Sequence, residues 1–140
     1  MKKLVFLLSL STYLFAINGE AVFNKHCIEC HASIGMMSMD GNNHGMKAPS
    51  MQMISMRLKH MTDSKKSFIE FVKDYIQNPS QEKGFCMPMA YKRFGVMPAI
   101  GKNLTEVERD AVANWMYDAF NDSWNGSMGG KMCKHRNNAK

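Results

Sequence analysis

Cys27-Ile28-Glu29-Cys30-His31 is a C-x-x-C-H pentapeptide, and it constrains this chain more than any other stretch. Two thiols separated by two residues share one turn, where each can add across a haem vinyl group to form a thioether. The histidine that follows then lies under the iron and offers it a nitrogen. This spacing is the signature of c-type haem attachment. A covalent link keeps a large flat cofactor in a 140-residue chain that has one modest core to enclose it. A local disulfide and a thioredoxin-like redox pair are the other readings. The latter belongs at a helix start within a βαβ unit, and no strand-like alternation occurs along this sequence. A zinc site would need a second paired-ligand motif; the remaining cysteines, Cys86 and Cys133, stand alone.

The N-terminus favours export. Lys2 and Lys3 precede an apolar run from Leu4 to Ile17, the charged and hydrophobic regions of a secretory signal. Cleavage is expected after Ala16, leaving a single domain over 17–122 and a polar, glycine-rich tail over 123–140. The run is shorter than the roughly 20 apolar residues that span a bilayer. Membrane association would therefore depend on an uncleaved N-terminus acting as an anchor. The expected compartment is the periplasm. Loss of Lys2 and Lys3 takes the basic side chains from 18 to 16 against 12 acidic ones, a net charge near +4. That balance suits acidic partners or an anionic membrane surface and, in this compartment, not nucleic acid.

Helical periodicity predicts three helices. A short one covers "NGEAVFNKHC", capped by Asn18 and carrying Ala21, Val22 and Phe23 as an apolar patch. A second covers "TDSKKSFIEFVKDYIQNP", where Phe68, Phe71, Val72, Tyr75 and Ile76 recur at helical spacing. Asp63 or Ser64 can cap it and Pro79 stops it. A third covers "LTEVERDAVANWMYDAF", with Thr105 and Glu108 in capping-box relation and Val107, Ala111, Val112, Trp115, Met116 and Ala119 along one face. Residues 33 to 56, with Gly35, Gly41, Gly45 and Pro49, read as a loop with one helical turn near its end, and residues 80 to 103 as a second long loop.

On these residues the sequence resembles the class I c-type cytochromes. Gly19 and Phe23, four and eight residues before Cys27, match the small and aromatic pair that the N-terminal helix of that family uses. There this helix crosses the C-terminal one at an aromatic residue, and Trp115 stands at the matching place. "FGVMPAIGKNLTEVERDAVANWMY" is similar to the family's distal segment, in which an axial methionine followed by proline precedes a capped helix. Ala48-Pro49-Ser50-Met51 and Met87-Pro88 also resemble the "AP-x-M" and second "MP" of a subset of small single-haem periplasmic cytochromes. The resemblance implies an all-α cytochrome c fold, with three to four helices and long loops around one covalently attached haem c. It implies Cys27 and Cys30 as the attachment points and His31 as the proximal iron ligand. For the distal ligand Met97 comes first. It precedes Pro98, whose fixed φ keeps the chain extended past the ligand, and lies eight residues before Thr105. Met87, also followed by proline, is the runner-up and Met89 the third choice. His/Met ligation favours reduced iron relative to bis-His ligation.

The other candidates carry plainer readings. Of the 15 methionines, Met116 reads as core; Met36, Met37, Met39, Met46, Met51, Met53, Met56 and Met61 fall in or beside the glycine-containing loop, several of them as pocket lining around a flat cofactor. The sharper alternative is that "MMSMDGNNHGM" and "MQMISM" bind Cu(I), with His44 joining, since soft thioethers select that ion. His26 is expected on the helix surface, facing away from the iron; His44, His60 and His135 are expected to be solvated or packing residues. Cys86 and Cys133 pair as a disulfide in an oxidising space, or remain thiols or metal ligands. Lys47, Arg57, Lys59, Lys65, Lys66, Lys92 and Arg93 form a scattered basic surface, with Arg57 and Arg93 as candidate partners of the haem propionates. The functional expectation is a one-electron carrier rather than an enzyme, exchanging electrons with an oxidase, a reductase or a membrane cytochrome complex. Its rivals are a haem enzyme with a displaceable distal ligand, a copper-handling protein, and a fixed subunit of a redox complex.

Overall fold

Side chains that replace missing backbone partners mark where the helices begin. In the computed structural model, which describes residues 17–31, 47–84 and 88–120, α1 spans Gly19–His26. Its cap Asn18 accepts from the amides of Glu20 at 2.9 Å and Ala21 at 3.4 Å. α2 spans Met51–Met61 with Ser50 as cap, and α3 spans Lys65–Gln77 with Ser64 as cap. α4 is the short helix Pro88–Phe94, followed by a 3-10 turn at Ile100–Asn103. α5 spans Glu106–Ala119 and carries the complete capping box: Thr105 accepts from the Glu108 amide at 3.2 Å, and the Glu108 carboxylate accepts from the Thr105 amide at 2.8 Å.

α5 is the hub. α1 and α3 pack against it, α2 touches both α3 and α5, and the 3-10 turn lies on α3. The α1–α5 crossing is close because Gly19 has no side chain: a Cβ there would overlap the Ala111 carbonyl oxygen and lie 2.5 Å from the Trp115 Cβ. One turn along, Phe23 stacks on Trp115 with ring centroids 4.7 Å apart. Phe68, fully buried, meets Tyr117 edge-on. Val22, Phe23, Leu58, Phe68, Val72, Leu104, Val112, Ala113 and Met116 make up most of the core, which is where apolar burial stabilises the fold. Lys73 on α3 bridges Glu106 at 2.6 Å and Asp110 at 3.1 Å on α5.

The all-α expectation stands, with corrections. Five helices rather than three to four occur among the described residues. The helical turn expected near the end of 33–56 is the start of a longer helix, because α2 begins at Met51 and runs on for 11 residues. Its inward positions are Met51, Ser55 and Leu58, and the buried serine interrupts what would otherwise read as an apolar stripe. The second long loop contains α4, which buries no residue and so gives no periodic signal. On α5, Val107 is exposed and Ala119 lies at the surface, while Ala113 is buried. Val107 sits in the first turn, ahead of the Ala111–Trp115 stretch that meets α1. Residues 1–16, the Met36–Met46 segment, Cys86, Met87, Cys133, His135 and the tail lie outside the described residues.

Candidate functional site

The helices enclose an apolar cavity of about 230 Å³. α1 ends at Cys27, whose amide donates to the Phe23 carbonyl at 2.8 Å, and the His31 amide donates to the Cys27 carbonyl at 2.9 Å. This tight turn sets Cys27, Cys30 and His31 on the cavity wall. α2 supplies Met51, Ile54, Arg57 and Leu58; α3 supplies Phe71, Val72, Tyr75 and Ile76. Ala90, Tyr91 and Phe94 of α4, then Val96, Met97 and Pro98, line the space, as do Val112 and Met116 of α5. Gly95, at φ +74°, turns the chain from α4 into the segment bearing Met97, a conformation that disfavours side chains.

His31 is 8% exposed, and its Nδ1 donates to the Pro49 carbonyl oxygen at 2.8 Å. That bond fixes the tautomer: the proton is on Nδ1, and Nε2 keeps its lone pair for a ligand, the arrangement of metal-bound histidines. Burial pushes the His31 pKa down, and the Pro49 bond opposes that shift, so the ring is neutral at pH 7. Lys47 and Glu29, 2.6 Å apart, hold the same two segments together at the surface. Pro49 as a positioning residue escaped the sequence reading because it acts through its backbone carbonyl; only the Ala48-Pro49-Ser50-Met51 resemblance marked the place.

Cys27 and Cys30 are separate thiols in the structure. Burial, then the proximity of Cys30, pushes the Cys27 thiol up to about 11, and Cys27 caps the C-terminus of a helix rather than its N-terminus. A redox C-x-x-C needs the opposite, a thiolate stabilised at a helix start. Among the described residues no three His, Cys, Asp or Glu side chains converge to hold an ion, so nothing there builds a zinc site.

Among the sequence candidates, Met97 lines the cavity with His31, whereas Met89 is 63% exposed and is not part of its wall. Met51 and Met116 line it too, both buried. Arg57 is in the wall; Arg93 is exposed, its guanidinium over the Phe94 ring. His26 is a correction: its ring lines the cavity, and its buried Nε2 has no hydrogen-bond partner among the described residues. Tyr75 and Tyr91, which sequence reasoning missed, join α3 to α4 by a 2.8 Å bond between their hydroxyls, and Tyr91 also reaches the Ser80 carbonyl. Burial, then the Tyr91 bond, pushes the Tyr75 phenol up.

The residues present fit a haem: paired thiols beside a buried imidazole with Nε2 left over, a thioether on the same cavity, apolar walls, and an unpartnered histidine nitrogen that a polar edge would satisfy. Fold and site together define a c-type cytochrome domain. The family described as "Cytochrome C oxidase, cbb3-type, subunit III" matches residues 16–116, and the chain belongs to it. A protein of Aquifex aeolicus (strain VF5), described as an uncharacterized protein, is 44% identical over 143 residues, covering 91% of this chain and 94% of its own. No solved structure matches. The family is one of haem-based electron transfer.

Proposed function

We propose that this chain is a monohaem c-type cytochrome of the periplasm that carries one electron at a time between redox proteins. Cys27 and Cys30 bind the haem as thioethers, His31 Nε2 is the proximal iron ligand and Met97 the distal one. The observation that carries the reading is the buried His31, its Nδ1 committed to the Pro49 carbonyl, on a cavity shared with Cys27, Cys30 and Met97. When bound, the haem supplies a one-electron couple between ferric and ferrous iron. The chain supplies the conditions. The Pro49 carbonyl orients the imidazole, the Met97 thioether favours the reduced state, and the apolar walls exclude water, raising the potential. Arg57, which lines the cavity as Lys47 does, would meet a haem propionate.

The N-terminal "MKKLVFLLSLSTYLFA" supports export and cleavage after Ala16, leaving the haem domain over 17–122 and the tail over 123–140. The description of the matched family points to an oxidase as the class of partner. Among the described residues no helix is long and apolar enough to cross a membrane.

Replacement of Met97 by alanine in the purified holoprotein tests the ligand set. The weak long-wavelength band of ferric Fe–S(Met) is expected to vanish and the potential to fall. Survival of the band would overturn the Met97 assignment and move the ligand to Met87 or Met89.

A further inference from the structure

We propose a Cu(I) site on the outer face of α2, formed by the Met53 and Met56 thioethers and the His60 imidazole. At about 100° per residue, the inward positions Met51, Ser55 and Leu58 share one side of α2. Met53, Met56 and His60 fall within about 60° of one another on the opposite side. Met53 and Met56 are three residues apart, and Met56 and His60 four, the two spacings at which helical side chains are neighbours. The ion would sit over Met56, flanked by one donor from each adjacent turn.

Methionine in a haem protein is usually explained as packing, because a flexible thioether fills irregular space. Met51 fits that explanation, being buried in the core and on the cavity wall. Met53 and Met56 are half-buried, yet among the described residues neither belongs to the core or lines the cavity. His60 is exposed. Three soft or borderline donors therefore share a helix face outside the described core and cavity wall.

The donor set selects the ion. α2 contains no aspartate, glutamate or cysteine, so the helix itself offers a hard divalent cation no anionic oxygen. Thioether and imidazole donors without carboxylates suit soft, monovalent Cu(I). The two cations flanking the face are engaged elsewhere. Arg57 lines the cavity, and Lys59 donates to the Phe120 carbonyl at 2.5 Å with its ammonium over the Tyr117 ring. The site is separate from the cavity, whose wall takes Met51, Ile54, Arg57 and Leu58 from α2 and none of Met53, Met56 and His60.

The test is a competition titration of the reduced, full-length holoprotein with Cu(I) held by a chromogenic chelator. One equivalent is expected to transfer, with X-ray absorption showing sulfur and nitrogen neighbours and the haem spectrum unchanged. Leucine replaces methionine with little change of volume, so the Met53→Leu/Met56→Leu variant keeps the helix. It should weaken binding about tenfold or more, the loss that even an outer partner of a metal ligand brings. His60→Gln should act in the same direction. Absence of transfer overturns the proposal. So does binding that both variants leave unaltered, which would put copper elsewhere, for example on Met36, Met37 and Met39.

Discussion

Gly19→Ala adds a single methyl group where α1 crosses α5, and the structure gives that methyl nowhere to go. Its carbon would overlap the Ala111 carbonyl oxygen and come within 2.5 Å of the Trp115 Cβ. One obstacle is backbone and the other is the root of a packed side chain, so neither can rotate away. α1 must lift off α5. Overpacking of this kind costs about 1–3 kcal/mol, and loosening the 4.7 Å Phe23–Trp115 stack forfeits a further 0.5–1.5 kcal/mol or so. Replacing glycine in a helix returns up to about 1 kcal/mol. The balance is roughly 2 kcal/mol of lost stability, which for a domain of this size lowers Tm by roughly 8–16 °C. The assay is thermal and urea unfolding of the holoprotein, comparing midpoints at unchanged m-value. Because α1 runs directly into Cys27 and His31, the shift should also broaden the ligand environment seen in the optical spectrum. A Gly19→Ala protein as stable as the parent, or more so, would refute the close crossing and the placement of His31 built on it.

Further outcomes follow from particular contacts. Thr105→Ala removes one half of the α5 capping box and should cost about 1 kcal/mol, read as a lower urea midpoint. Phe68→Ala empties a fully buried site beside Tyr117 and should cost about 3–5 kcal/mol by the same measurement. Hydrogen bonds, from Lys73 first and then Arg109, hold the Glu106 carboxyl below its usual range, and Lys83 does the same for Asp74. Each stabilises the fold fully above its unfolded pKa of about 4 and loses that contribution as pH falls through the lower folded value. The urea midpoint should therefore drop between about pH 6 and pH 3, and Lys73→Met should flatten that drop; an unchanged slope would contradict the α3–α5 ion pairs.

What could be read from the sequence was what repeats or caps. α1, α3 and α5 each pair an apolar stripe with an N-terminal cap, Asn18, Ser64 or Thr105, and local chemistry marks both. α2 was hidden because the middle of its inward face is Ser55, fully buried, and because glycine and proline upstream suggested loop. α4 buries nothing and so leaves no pattern. At the site, the C-x-x-C-H spacing declared itself, but the acceptor that orients His31 is a backbone carbonyl eighteen residues away, and no side-chain pattern encodes it. The Tyr75–Tyr91 pair and the place of His26 on the cavity wall depend likewise on tertiary placement. Met97 stood out because a proline follows it and a capped helix comes soon after, features available to sequence alone.

The central claim is one haem held through Cys27 and Cys30 between His31 and Met97. The optical spectrum of the purified protein, taken oxidised and reduced, tests it most directly. The expected result is a six-coordinate, low-spin haem that stays with the polypeptide on denaturation and shows the weak long-wavelength Fe–S(Met) band when oxidised. A high-spin, cyanide-sensitive oxidised spectrum, or a chain carrying no haem, would contradict it.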